Sequence, residues 1–293
     1  MEFYAKVLVL ALIQGAAELL PVSSSAHVIV AEKLMRMDPA APEMTFLLVM
    51  LHTGTMFAVI VYFWPRWRRM LTAPAGAPAN RAPRWHFIKM VVLATACTGV
   101  LGLGLKLLIE RVVMEGMLGH EHGEVENLFK ELPLMAGALL AAGLFIIVAG
   151  TCKVREDPAA LNPRSAAVIG IVQALCLPFR GFSRSGATIS TALLGGTPRQ
   201  LAEEFSFALA VVLTPPVIVL ELHRLLKAKD WTGSAGLADL LLPGLVGMAF
   251  SFVSGLVALK LLSKVLEQGG WKYFGYYCLV ASGGVLAAYL AGL

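Results

Sequence analysis

The sequence predicts an all-α polytopic membrane protein: six transmembrane helices plus two re-entrant helix-turn-helix hairpins, arranged as an inverted-topology repeat. Three observations predict it. Of the 293 residues, 58% are hydrophobic and only 15% charged, against about 25% charged in an average soluble domain, so water is not the solvent for most of the chain. Six apolar runs reach the about 20 residues that a helix needs to cross a hydrocarbon core of about 30 Å. Two further apolar stretches are broken near their middle by Pro, Gly, Ser and charge.

Taken in order, residues 3–36 form the first broken stretch, interrupted at LPVSSSAH. It lacks the basic start of a secretory leader and meets Gln14 and Glu18 within its apolar run, so it is expected to belong to the fold. Spans at 44–64, 87–109 and 133–152 follow and complete a first repeat over about residues 1–152. The second broken stretch, 164–197, is interrupted at LPFRGFSRSG, and spans at 204–222, 239–262 and 273–292 complete a second repeat within one membrane domain. Broken backbone at membrane depth is tolerated only where protein or a watery cavity satisfies its polar groups, which is why both stretches read as hairpins that return to the side they entered. Three spans then cross an odd number of times, so the second half starts on the opposite face, the arithmetic of an inverted repeat. The interruptions also align: Pro21 to Ala26 with Gly181 to Gly186, and Gln14 with Gln173 at nearly the same distance upstream.

Orientation follows from loop charge. Residues 65–86 carry Arg66, Arg68, Arg69, Arg81 and Arg84 without an acid, whereas 110–132 hold six glutamates against Arg111 and Lys130, so the first loop is expected inside and the second outside. Both termini then lie outside. Lys153, Arg155, Arg164, Lys264 and Lys272 agree with this sense; Arg224, Lys227 and Lys229, in an expected external loop, do not. The net charge of +5 is dispersed between apolar runs and does not form a nucleic-acid footprint. Cys97, Cys152, Cys176 and Cys278 sit in or beside apolar segments without metal-ligand spacing and are expected as small buried hydrophobes rather than disulfides.

Chemistry concentrates at the two interruptions. Arg184 has apolar flanks on both sides, and an arginine near a bilayer centre costs on the order of 3 kcal/mol unless it meets a cavity or an anion. Ser183, Ser185 and Thr188 surround it at the start of a half-helix, whose unpaired N–H groups and positive dipole end suit a phosphate. In the first hairpin Ser23, Ser24 and Ser25 precede another half-helix, which one of them is expected to cap. His27 lies about one turn beyond Ser24, and Glu18 is an ionisable group at depth. Together these side chains suffice for phosphoryl transfer: a serine attacks, histidine or glutamate manages the proton, and arginine with helix N-termini stabilises charge.

GAAELLPVSSSAH (Gly15 to His27) and RGFSRSGATIS (Arg180 to Ser190) resemble the two signature motifs of the bacterial undecaprenyl-diphosphate phosphatases, the bacitracin-resistance proteins, and the similarity covers essentially the whole chain. The resemblance implies hydrolysis of undecaprenyl diphosphate to undecaprenyl phosphate and inorganic phosphate, which recycles the lipid carrier for peptidoglycan synthesis. It implies Ser24, His27, Glu18 and Arg184 as catalytic residues, Ser24 being the nucleophile, and Ser23, Ser183, Ser185 and Thr188 as phosphate-binding residues; Ser25 and Gln14, next to these in the first stretch, are expected to bind phosphate with them. The implied place is the bacterial cytoplasmic membrane, with the active site open to the periplasmic side. The partners are the polyprenyl diphosphate lipid and membrane lipids, with no nucleic acid; a homodimer is compatible with the sequence. The residues specify no cofactor, and a divalent cation, Mg or Ca, is compatible with them. This chain has Gln14 where the family usually carries a second glutamate, and Arg180 where it carries a proline. Gln14 hydrogen-bonds but cannot act as a base. A polyprenyl-phosphate flippase or transporter using the same pocket without hydrolysis is the competing reading, since inverted repeats also build alternating-access carriers; the paired motifs favour the enzyme, and a mere scaffold has no use for Arg184 among serines at depth.

Weaker features complete the chain. His52 with Thr53-Gly54-Thr55, mid-span, fits either a cavity lining or a kink and close helix packing. Pro215-Pro216 is expected to kink its span. His120-Glu121-His122 reads as part of a solvated acidic loop rather than a metal site.

Overall fold

The computed structural model describes residues 2–37, 42–72, 84–109, 132–152, 161–227 and 237–292. Ten helices and no strand occur among the described residues. In chain order they are α1 (Glu2–Leu19), α2 (Ser24–Leu34), α3 (Pro42–Leu71), α4 (Arg84–Leu108), α5 (Leu132–Thr151), α6 (Pro163–Cys176), α7 (Arg184–Leu194), α8 (Arg199–Lys227), α9 (Leu237–Glu267) and α10 (Trp271–Leu290). Six of them, α3, α4, α5, α8, α9 and α10, are long and apolar enough to cross a membrane, and each overlies an expected span. Residues 110–131 of the acidic loop, with His120 to His122, and Arg81, Lys153, Arg155 and Lys229 lie outside the described residues.

The four remaining helices form two pairs in contact, α1 with α2 and α6 with α7. α2 and α7 have 11 residues each and α6 has 14, which at 1.5 Å per residue gives about 16 to 21 Å, short of the hydrocarbon core. α1 departs from the expectation that every half is too short: its 18 residues rise about 27 Å, because Glu18 and Gln14 are accommodated inside a continuous helix. α3 also exceeds its apolar run. It passes through Pro65 to Leu71, where Arg66 reaches Glu203 and Glu204 of α8 at 3.9 and 3.5 Å. α8 runs on through Pro215-Pro216 without ending.

Packing pairs elements from opposite halves of the chain. α1 lies on α9 and α6 on α4; α5 lies on α10 and α3 on α8; α3 also lies on α9 and α4 on α8. Lipid tails are as apolar as leucine, so such contacts rest on close fit and interhelical hydrogen bonds rather than on hydrophobic exclusion. Both are present. Gly143 of α5 faces Gly275 of α10, and a Cβ on Gly275 would stand 2.6 Å from the Gly143 carbonyl oxygen. Ser251 of α9 donates to the Leu51 carbonyl and Ser254 to that of Leu12, while Thr98 of α4 donates to the Gly170 carbonyl of α6. Aromatic rings fill the centre, Phe63 stacking on Phe207 with centroids 5.4 Å apart. Outside, Val100 and Val280 are 74% and 76% exposed, a surface suited to acyl chains and costly in water.

Candidate active site

The first turn is built by an unusual backbone. α1 closes with Leu20 donating to the Ala16 carbonyl, Val22 then donates to Leu20, and Ser23 follows at φ 68. A non-glycine residue in the left-handed region is held there at a cost of roughly 1–3 kcal/mol. The expectation that a serine caps α2 is not met. Ser23 stands at the capping position, but its φ turns the hydroxyl away from the amides that an extended N-cap reaches, and its Oγ meets Ser25 Oγ at 3.2 Å. The first-turn amides of α2 are left without a side-chain cap.

The second pair is capped at both of its helix starts. Asn162 and Ser165 form a reciprocal capping box at the start of α6. Beyond Cys176 the chain winds through Gly181, at φ 104, where a Cβ would meet the Met135 carbonyl of α5. Only glycine takes that conformation in that space. Ser183 then caps α7, its Oγ accepting from the Gly186 amide at 3.1 Å.

The two turns meet. Gly181 donates its amide to Ser25 Oγ at 3.3 Å, and Arg184 Nη2 lies 3.2 Å from Glu18 Oε1. The other carboxylate oxygen, Oε2, accepts from Ser24 Oγ at 2.5 Å and from Gln14 Nε2 at 3.2 Å. One carboxylate therefore gathers Gln14 from one turn earlier on α1, Ser24 from α2 and Arg184 from α7, although 166 positions separate Arg184 from Glu18. Glu18 and Arg184 are only 17% and 22% exposed, so each charge depends on the other inside a confined site. Such a charge-assisted arrangement orients the Ser24 hydroxyl with its proton on Glu18.

The remaining expected residues fall into three groups. Ser25 bridges the turns, while Ser183 and Ser185 are buried with their hydroxyls 3.4 Å apart. Thr188 points into the protein, its hydroxyl shared between the Arg184 carbonyl and Ser206 of α8 at 2.6 Å. His27 directs both ring nitrogens elsewhere than to Ser24 or Glu18: Nδ1 lies 2.7 Å from the Ser23 carbonyl oxygen and Nε2 2.8 Å from the Tyr277 hydroxyl, with the two rings stacked. Gln173, the counterpart of Gln14, is fully buried and donates to Thr98 across the α4–α6 contact instead. Arg180 is half-buried.

Two neighbours were not singled out by the motifs. Tyr277 of α10 holds His27, and Cys278 beside it donates to the Pro21 carbonyl at 3.4 Å. His52 of α3 places Nε2 3.8 Å from Glu18 Oε2. The helix is unbroken at Thr53-Gly54-Thr55, whose threonines bond back to Val49 and His52 carbonyls, so Gly54 serves close packing on α9 while His52 lines the site. An ionisable residue inside an apolar span was the available signal for His52. No three His, Cys, Asp or Glu side chains stand together as a metal-holding group among the described residues.

The chain is 59% identical to undecaprenyl-diphosphatase 2 of Acinetobacter baylyi over 96% of both chains. It is 32% identical to the undecaprenyl-diphosphatase of Desulfosudis oleivorans over 94% of both. With the undecaprenyl-diphosphatase of Korarchaeum cryptofilum it shares 28% identity over 97% of this chain and 98% of that one. The model of the family described as bacitracin resistance protein BacA matches residues 7–284, and the chain belongs to that family.

Proposed function

We propose that this protein is a multi-pass membrane phosphatase that hydrolyses undecaprenyl diphosphate to undecaprenyl phosphate and inorganic phosphate. It thereby returns the lipid carrier to peptidoglycan synthesis and confers bacitracin resistance. The observation that carries this reading is the Glu18 carboxylate, which accepts at once from the Ser24 hydroxyl and the Arg184 guanidinium. Nucleophile, base and cation stand within one headgroup's reach.

In the proposed reaction Ser24 Oγ attacks the terminal phosphorus as its proton passes to Glu18, and the bridging oxygen departs with undecaprenyl phosphate. Arg184, released in part from Glu18 by the substrate, and the uncapped amides at the start of α2 stabilise the charge on the transferred group. Water then cleaves the phosphoserine. His27 acts as a positioning residue: its Nδ1–H on the Ser23 carbonyl fixes the strained turn that presents Ser24. Ser23, Ser25, Ser183 and Ser185 line the headgroup's seat, with Gln14 holding Glu18 in place and Thr188 holding α7 on α8.

The two short helix pairs enter as re-entrant hairpins from opposite faces of the bacterial cytoplasmic membrane, and the site opens to the periplasmic side. The cross-half pairing of α1 with α9 and of α6 with α4 supports an inverted repeat, and the arginines at the end of α3 support the orientation. The test is phosphate release from undecaprenyl or farnesyl diphosphate by protein purified in detergent. Wild type releases phosphate, whereas Ser24→Ala and Arg184→Ala lose at least about a thousand-fold while eluting as folded protein. Full activity in both variants would overturn the site.

A further inference from the structure

A base that accepts the nucleophile's proton must keep or pass it, and the surroundings of Glu18 leave one route. Its neighbours are Gln14, Ser24, Arg184 and His52. Ser24 is the source of the proton. An amide takes up no proton, and a guanidinium has none to accept. His27 is bonded at both nitrogens to groups away from Glu18. His52 remains.

The bonding of His52 fixes which of its nitrogens titrates. Nδ1 lies 2.8 Å from the Leu48 carbonyl oxygen, which can only accept, so Nδ1 carries a proton in every state. Nε2 is then the exchanging nitrogen, and it faces Glu18 Oε2 at 3.8 Å, one small side-chain adjustment or one bridging water from a hydrogen bond. Catalytic hydrogen bonds are often this long before substrate arrives. The His52 side chain is 41% exposed against 17% for Glu18.

Resting on the phosphatase reading above, we infer that His52 is a proton relay working through Glu18, holding the Ser24 proton during phosphoryl transfer. In the first half Ser24 gives its proton to Glu18 Oε2 and Glu18 passes it to His52 Nε2, so the carboxylate is restored while the Oγ–P bond forms and the bridging P–O bond breaks. In the second half water attacks the phosphoserine, the Oγ–P bond breaks, and Ser24 recovers a proton from His52 through Glu18. Both water protons leave on the inorganic phosphate. The charged groups facing His52 are Glu18 from α1 and, through it, Arg184 from α7. On the other helices packed against α3, Glu203 and Glu204 of α8 are paired with Arg66 at the far end, and Lys260, Lys264 and Glu267 of α9 lie toward that same end.

The test uses the full chain in detergent with farnesyl diphosphate as probe, reading kcat, KM and the pH profile of wild type, His52→Asn, His52→Gln and His52→Ala. Asn keeps a donor for the Leu48 carbonyl and removes the titrating nitrogen; Gln extends a neutral amide toward Glu18. Expected are a fall in kcat of about a hundred-fold in both amide variants and KM within about two-fold. The wild-type pH profile should carry a limb that the variants lack. Added imidazole should restore His52→Ala by about ten-fold or more. Unchanged kcat and pH profile in His52→Asn, or a loss with no change of profile and no rescue, overturns the relay. Wild type that releases no phosphate would instead overturn the function proposed above, whereas active wild type with indifferent His52 variants overturns this inference alone.

Discussion

The Tyr277–His27 pair shows how a single hydroxyl far along the chain bears on the nucleophile. Because the Ser23 carbonyl holds the Nδ1 proton, Nε2 of neutral His27 is an acceptor, and the Tyr277 phenol donates to it at 2.8 Å. Tyr277→Phe removes that donor and keeps the stacked ring. A hydrogen bond of about 1 kcal/mol corresponds to roughly five-fold, so kcat for phosphate release should fall about three- to ten-fold, with the thermal midpoint in detergent nearly unchanged. Either an unaffected kcat or a loss as deep as that of Ser24→Ala would contradict the positioning role given to His27. At this scale Glu18, Ser24 and Arg184 were legible because charge and hydroxyls are scarce in apolar stretches. Their convergence on one carboxylate was legible only as a resemblance. Tyr277 escaped because a tyrosine near a span end has an ordinary explanation, whereas His52 stayed open between cavity lining and helix packing until tertiary placement brought it to the turn. The expected serine cap failed for a backbone reason, the positive φ of Ser23, which no side-chain pattern announces.

Among the elements, the contact between α5 and α10 is a close one. Gly143 and Gly275 bring the two backbones together there, and Ser282 adds a bond to the Ala136 carbonyl at 2.7 Å. Gly275→Leu places a side chain against the Gly143 carbonyl and Ile147, with no flexible tip to yield. Overpacking of this kind costs about 1–3 kcal/mol or more, so the thermal midpoint in detergent should drop by several degrees. Activity should fall further than stability alone explains, since Tyr277 and Cys278 ride on the displaced helix; a Gly275→Leu protein with wild-type midpoint and activity would show that the contact is dispensable. The six long helices themselves were readable from apolar length. Their ends were not: α3 continues seven residues past the expected end at residue 64, since Arg66 and its neighbours find acidic partners on α8 that a hydropathy criterion counts only as an interruption.

For the molecule as a whole, loop charge sets an orientation that labelling can check. Thr72, just past α3, is expected on the cytoplasmic face and Ala291, just past α10, on the outer one. In intact cells a membrane-impermeant maleimide should therefore modify Ala291→Cys above the parent level, and Thr72→Cys only after the membrane is opened; the reverse pattern would invert the topology and move the site to the other face. The pairing of helices across the two halves carries a further consequence, for synthesis. α6 emerges after α4, so the second hairpin finds its neighbour already in place. α1 must wait for α9, and at about 5–20 residues per second that delay is on the order of ten seconds or more. During it the strained serine turn and Glu18 lie without their support, so the insertion machinery or a neighbouring lipid has to shelter the nascent first hairpin until the ribosome has nearly finished.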